Sequence, residues 1–102
     1  MCGIAVAIDW DGAEKIVPRL LAAISYRGDI TDAVVSPYPR TALGTRRLGI
    51  VDIGHGVQPQ ASFDGKLLVS FNGEIYNHHE LREQLKAKGI PFRTESDTEV
   101  LA

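Results

Sequence analysis

Met1-Cys2-Gly3-Ile4-Ala5-Val6-Ala7-Ile8 decides how the rest of the chain is read. The run 4–8 is apolar and partly β-branched, which predicts a buried strand starting almost at the terminus. The single cysteine of the chain stands at the mouth of that strand. If the initiator methionine is removed, as a small second side chain permits, Cys2 carries a free α-amine beside its own thiol. An α-amine titrates at about 7.7–8.0 and a thiol at about 8.5, so proton exchange between them is nearly balanced close to neutral pH. That balance is what a general base assisting a nucleophile requires. Only two carbons join the groups, so a bridging water relays the proton more readily than direct contact. Read alone, the stretch is better served by an inert small hydrophobe at the terminus, since free cysteines are among the most buried residue types.

Working outward, the 102 residues are 44% hydrophobic and 24% charged with a formal charge of −2, ordinary values for one soluble globular unit. This charge balance gives no electrostatic attraction to nucleic acid or to an anionic membrane. One cysteine cannot form an internal disulfide and no basic segment precedes the first apolar run, so a cytoplasmic location is expected. No apolar run approaches the roughly 18 residues of a membrane span. No repeat or linker divides the chain, so 1–102 is expected to be one domain.

After the Asp9-Trp10-Asp11-Gly12 turn cluster, Ala13, Ile16, Val17, Leu20, Leu21 and Ile24 recur at helical spacing. Pro18 interrupts that pattern and is compatible with a helix only in its first turn, which places the regular helix start near Lys15 or Ile16 and a stop at Gly28. Ala33-Val34-Val35 is a candidate short strand, and 41–48 a strand running into an irregular turn. Residues 53–64 read as loop, and 66–71 as a strand after the Asp64-Gly65 turn. Asn77 precedes a helix with Glu80 completing a capping box and Gly89 ending it, and 90–94 reads as an edge strand containing Pro91. Ser96 and Glu99 carry the start signature of a further helix, but only Val100-Leu101-Ala102 follow. A first turn without a body is not worth nucleating, so the 102 residues are expected to be the front part of a longer chain.

Three further groups carry candidate chemistry. Asn72-Gly73 after a strand fits a two-residue hairpin turn with positive φ at both positions, and it also fits a pair of N–H donors aimed at an oxyanion. Arg46-Arg47 fits a solvated edge, or a guanidinium holding a substrate carboxylate in a bidentate pair. Asp97 fits a helix start, or an acceptor for a substrate ammonium. His79 and Glu83 lie one turn apart, but surface positions account for them better than a metal site, and no metal is expected. Gly54-His55-Gly56 lacks the remaining glycine and the helix of a phosphate loop.

Cys2-Gly3-Ile4, Tyr26-Arg27-Gly28, Arg46-Arg47-Leu48-Gly49-Ile50-Val51-Asp52, Gln58-Pro59, Asn72-Gly73-Glu74-Ile75-Tyr76-Asn77, Glu80-Leu81-Arg82 and Ser96-Asp97-Thr98-Glu99-Val100-Leu101 occur in one order along the chain. Together they resemble the glutaminase domain of class II glutamine amidotransferases, which are N-terminal nucleophile hydrolases, and within that family the branch of glutamine-hydrolysing asparagine synthetases. The resemblance implies an α+β fold, the αββα sandwich of the family, of which these residues would be the N-terminal part. It implies that Cys2 attacks the side-chain amide of L-glutamine with its α-amine as base, releasing ammonia and leaving a thioester that water resolves. Asn72 and Gly73 match the oxyanion hole. Arg47 matches the residue holding the substrate α-carboxylate, and Asp97 and Glu74 match contacts to its α-amine. Ile50 and Val51 match positions whose backbone lines the pocket. No cofactor is implied for this domain. ATP and Mg²⁺ belong to a C-terminal synthetase domain that would receive the ammonia, and a homodimer is compatible with the family.

There is one departure. The family usually reads His-Arg-Gly-Pro-Asp where this chain has Tyr26-Arg27-Gly28-Asp29-Ile30. Tyr-Arg-Gly also resembles the glucosamine-6-phosphate synthase branch, which shares the Cys2 start and the 97–100 corner. The motifs at 47–52 and 74–77 favour asparagine synthetase. A non-catalytic module that keeps the fold is the rival from another class.

Overall fold

A computed structural model of the chain describes residues 2–31, 34–48 and 56–102. It is an α+β arrangement in which the first strand, β1 (Gly3–Ala7), pairs antiparallel with β3 (Ala42–Arg47), and β3 pairs on its other side with the short β2 (Ile30–Thr31). The register sets Gly3 opposite Arg46 and Ile30 opposite Arg47. Along β1, Gly3 and Ala5 are buried while Ile4 and Val6 are exposed, the period-2 alternation of a sheet packed on one face. Helix α1 (Ala13–Ala23) covers that face, burying Ala13, Val17 and Leu21 from successive turns together with Ala5 and Ala42. The helix seats directly on Gly44, where a Cβ would lie 2.7 Å from Leu21 Cδ1 and 3.3 Å from Val17 Cγ1.

Helix α1 starts earlier than the proline predicts. It begins at Ala13 and contains Pro18. Gly12 precedes it at φ 77°, a left-handed conformation cheap only for glycine, and its carbonyl accepts from Lys15 and Ile16 at 2.9 and 3.0 Å. The proline removes one donor and crowds the preceding turn, whereas the Ala13, Val17 and Leu21 stripe ties both sides of it to the sheet, each large apolar side chain contributing about 1.5–3 kcal/mol on burial. The helix also stops sooner, at Ala23, and a 3₁₀ turn (Ser25–Arg27) leads into Gly28.

Gly28 is therefore not a left-handed helix stop: its φ of −179° is extended backbone open to any residue. Space is what demands glycine there, because a Cβ would lie 2.4 Å from the carbonyl carbon and oxygen of Arg47 and 2.8 Å from Leu48 N. Backbone cannot swing aside as a side chain can, so Gly28→Ala is expected to destabilise by about 3 kcal/mol, the upper end for overpacking. Its thermal midpoint, compared with that of Ala23→Gly as an exposed control, measures this. Equal midpoints would show that the contact relaxes freely.

The second sheet is a hairpin of β4 (Gln60–Ala61) and β5 (Leu68–Val69). The loop predicted for 53–64 thus holds a strand in its described part, and the strand predicted for 66–71 shortens to two residues. The turn between them is held by side chains, with Asp64 Oδ1 accepting from Ser62 Oγ at 2.6 Å and from Lys66 N at 3.1 Å. Of the candidate strand at 33–35, Ala33 lies outside the described residues, while Val35 makes an isolated bridge to Leu43.

Helix α2 (His78–Ala87) runs between Asn77 and Lys88, with Gly89 just beyond at φ 85° as expected of a stop. Asn77 makes no side-chain cap, so the predicted capping box is absent. Residues 90–94 form no strand. They make an irregular corner leading to α3 (Asp97–Leu101), whose N-cap is Ser96, its Oγ accepting from Thr98 N at 3.1 Å. Among the described residues no helix is long and apolar enough to cross a membrane.

Candidate active site

Two short elements bring residues of opposite chain ends to one place. Strand β3 ends at Arg47, beside the first residues of β1, and the corner before α3 folds back toward the loop between β5 and α2. Between them lies an open cleft of about 800 Å³ lined by Cys2, Arg47, Asn72, Gly73, Glu74 and Asp97, together with Gln58, Phe71, Tyr76, His78 and Thr98 among others. All the site residues predicted from sequence that lie within the described residues line this cleft. Ile50 and Val51 lie outside the described residues.

Cys2 is a half-buried free thiol. Its carbonyl accepts from Arg27 Nε and Nη2 at 3.4 and 3.3 Å, so the Tyr26-Arg27-Gly28 segment braces the strand terminus despite its altered continuation. Tyr26 itself is 80% exposed and bears on none of this. Gly28 carries the bracing across: its carbonyl accepts from Arg46 Nε at 2.7 Å, and its Cα packs on the Arg47 backbone.

Arg47 is 6% exposed, which excludes the solvated-edge account of this position. The strand that ends in it is central in the sheet rather than at an edge. Neither Asn72 nor Gly73 adopts a positive φ, and no strand follows them, so the two-residue hairpin account fails as well. The segment before them is pinned by Gln58, whose Oε1 accepts from Phe71 N at 2.8 Å while its Nε2 donates to Thr98 Oγ1 at 3.3 Å. After them, Ile75 N donates to Asp97 Oδ2 at 3.0 Å. Two hydrogen-bonded ties thus join the Asn72-Gly73 loop to α3, one on each side.

His78 also faces the cleft. Its ring lies 3.9 Å from that of His79, and its Nδ1 is buried without a hydrogen-bond partner. Among the described residues no cluster of His, Cys, Asp and Glu is arranged to hold a metal ion.

The corner carrying Asp97 is fastened by two charged side chains that bond to backbone. Arg82, 2% exposed, donates to Thr94 O at 2.6 Å and to Ser96 O at 2.9 Å, with its guanidinium 4.7 Å from the centre of the Phe92 ring. The Glu99 carboxylate accepts from Arg93 N at 2.8 Å, from Thr94 N at 2.7 Å and from Thr94 Oγ1 at 2.6 Å. Ser96 N donates to Thr94 Oγ1 at 3.2 Å rather than to Glu99.

Burial pushes the Glu99 carboxyl up, but the Thr94 hydroxyl, the Arg93 and Thr94 amides and the Arg93 guanidinium outweigh it and hold the group below its ordinary value of 4.5. The unfolded chain therefore binds the proton more readily than the folded one, so the stabilisation is complete above the ordinary value and is lost as pH falls through the lower, folded value. Glu99→Gln is expected to lower stability at neutral pH by about 1–3 kcal/mol, the range for leaving buried donors without a charged acceptor. The gap between the variant and the parent should narrow on acidification below about pH 4.5. Thermal midpoints across pH measure this, and a gap of constant width would refute it.

Gln58, Thr98, Arg82 and Glu99 do structural work at the site that their sequence positions did not disclose. Their signal was present only as polar residues inside otherwise recognisable motifs. Taken as chemistry, the cleft offers a thiol, an Asn-Gly amide pair, one buried cation and three carboxylates, Glu74, Glu95 and Asp97, a set complementary to an α-amino acid zwitterion whose side chain bears an electrophilic carbonyl.

Comparison with known proteins agrees with this chemistry. A family model described as a glutamine amidotransferase domain matches residues 1–102. The chain is 43% identical over 88 residues to a Bacillus subtilis asparagine synthetase (glutamine-hydrolysing), covering 86% of this chain and 14% of that protein. It is 41% identical over 106 residues to a probable glutamine-hydrolysing asparagine synthetase of Schizosaccharomyces pombe, covering 99% of this chain and 18% of the relative. A Lotus japonicus glutamine-hydrolysing asparagine synthetase is 38% identical over 106 residues, covering the whole of this chain and 18% of the relative. The chain thus spans less than a fifth of the length of these curated relatives. No solved structure matches it.

Proposed function

The chain belongs to the glutamine amidotransferase domain family, and from that membership we propose that its cleft hydrolyses L-glutamine to glutamate and ammonia through Cys2. The observation that carries the reading is the convergence of Cys2, Arg47, Asn72, Gly73, Glu74 and Asp97 on one cleft. In this reading removal of Met1 frees the α-amine of Cys2, which takes the thiol proton by way of a water. The sulfur attacks the side-chain amide carbon, the C–N bond breaks, and ammonia leaves with the transferred proton. Water then adds to the thioester, releasing glutamate and restoring the thiol. Asn72 and Gly73 stabilise the oxyanion in both steps. Arg47 holds the substrate α-carboxylate, Asp97 and Glu74 hold its α-ammonium, and the backbone of Ile50 and Val51 completes the pocket.

We further infer that residues 1–102 form the front part of an N-terminal nucleophile hydrolase αββα sandwich. We infer too that the ammonia is used by a synthetase domain for asparagine formation, as the names of the relatives suggest, and that this domain takes aspartate, ATP and Mg²⁺. The test is intact mass before and after treatment with a diazoketone analogue of glutamine. The expected outcome is a mass lacking Met1 and the addition of one analogue at Cys2. Retained Met1, or labelling that survives Cys2→Ser, overturns the reading.

A further inference from the structure

Arg82 is a costly placement for a cation. Its side chain is almost fully buried, yet among the described residues it forms no ion pair. Its partners there are two neutral carbonyls and a ring face, and its Nε has no hydrogen-bond partner. A buried cation without a counter-charge is a poor way to stabilise a fold, since desolvation is offset only by hydrogen bonds to neutral groups. What the placement supplies is geometry. The guanidinium fork reaches the carbonyls of Thr94 and Ser96 from one rigid plane, a span that a single ammonium cannot reproduce.

Those carbonyls sit on the two sides of Glu95, immediately before Asp97. Arg82 lies on α2, the helix that follows the Asn72-Gly73-Glu74 loop. It therefore ties the wall of the cleft that carries the amide pair to the wall that carries Asp97. The tie acts on Ser96, whose Oγ caps α3, and thereby on the first residue of that helix, whose carboxylate then meets Ile75 N. Phe92 under the guanidinium and Glu99 on the Thr94 amide fix the same corner from the other side.

We propose that Arg82 is a positioning residue for substrate recognition: it sets the place of Asp97 relative to the Asn72-Gly73 loop, and so governs capture of the substrate α-ammonium rather than the chemistry at the thiol. This rests on the glutaminase reading above. The inference assigns Arg82 a consequence on KM rather than on kcat, because the thiol stays on its own strand and Gln58 Oε1 still holds the Phe71 amide beside the Asn72-Gly73 pair when the corner loosens.

The test uses Arg82→Lys and Phe92→Leu in the full chain, with three readouts. Steady-state glutamine hydrolysis, normalised to titrated Cys2, is expected to show KM raised about 10-fold or more for Arg82→Lys, and by less for Phe92→Leu, with kcat within about 3-fold of the parent. KM does not depend on how much of a sample is folded, so partial unfolding cannot mimic this pattern. Labelling by the diazoketone analogue, which carries an α-ammonium, should slow by a similar factor. Alkylation of Cys2 by iodoacetamide, which carries none, should keep its parental rate. A parental KM and analogue labelling in Arg82→Lys would overturn the inference, as would a fall in kcat at unchanged KM, or slowing of both reagents alike. Failure of the parent protein itself to react with the analogue would instead refute the glutaminase reading.

Discussion

Cys2→Ser is expected to abolish glutamine hydrolysis, lowering kcat by at least about 10³-fold while leaving the fold intact. The thiol is half-buried at the start of β1 and its side chain contributes no hydrogen bond that holds the strand. A hydroxyl of nearly the same shape should therefore be accommodated without repacking. What changes is chemistry. A serine hydroxyl is a far weaker acid and a poorer nucleophile than a thiol, so an α-amine matched to the thiol activates the hydroxyl much less well in the same site. Substrate binding should persist, since the groups proposed to hold the α-carboxylate and α-ammonium are untouched. The checking measurements are ammonia release over time and glutamine affinity by calorimetry on the same sample. An unchanged affinity with no turnover is the expected pair. Turnover within about 10-fold of the parent would remove Cys2 from the mechanism, because no effect of a lost nucleophile is that small.

Asn72→Ala is the second large effect. Removing one oxyanion donor typically costs about 10²- to 10³-fold in kcat. Here the loss should fall on kcat with KM nearly unchanged, because the donor strengthens its bond only as charge develops on the oxygen. Asn72 is exposed, and among the described residues no hydrogen bond makes its side chain a structural strut. The neighbouring loop is held by Gln58 and Asp97 through the Phe71 and Ile75 amides, so the backbone donor at Gly73 should stay where it is in the variant. Asn72→Asp offers a sharper contrast. A carboxylate keeps the size but sets negative charge beside the developing oxyanion, and it should be slower than alanine. Initial rates at saturating glutamine for the three proteins measure this. A rise in KM with unchanged kcat in Asn72→Ala would place the residue in ground-state binding instead.

Against Arg82→Lys these two variants define separate failures of one site: loss of the attacking atom, loss of charge stabilisation, and misplacement of the ammonium acceptor. Gly28→Ala adds a fourth route, in which backbone crowding against Arg47 perturbs the strand end from outside the cleft.

Much of this was legible in the linear chain. The first apolar run formed a strand over residues 3–7, though packed on one face rather than buried, the Asn77 and Ser96 positions opened helices, and the ordered motifs marked the family. Local rules could do this because strand alternation, left-handed glycines and an N-cap serine act over a few residues. The same rules failed wherever distant burial was the stronger term. Pro18 sits inside a helix because Ala13, Val17 and Leu21 bind both its sides to the sheet. Gly28 is required by the Arg47 backbone rather than by its own φ. Glu99, at the N3 position of α3, binds the Arg93 and Thr94 amides before the helix, a partnership no spacing rule announces. By itself, then, the sequence determined which residue types were available and in what order, including the thiol at position 2. Only the tertiary structure decided that Arg47 and Asp97 face the same cleft as that thiol, and that Arg82 is buried to hold the corner. Those outcomes depend on contacts between segments far apart in the chain, where no local spacing carries the information.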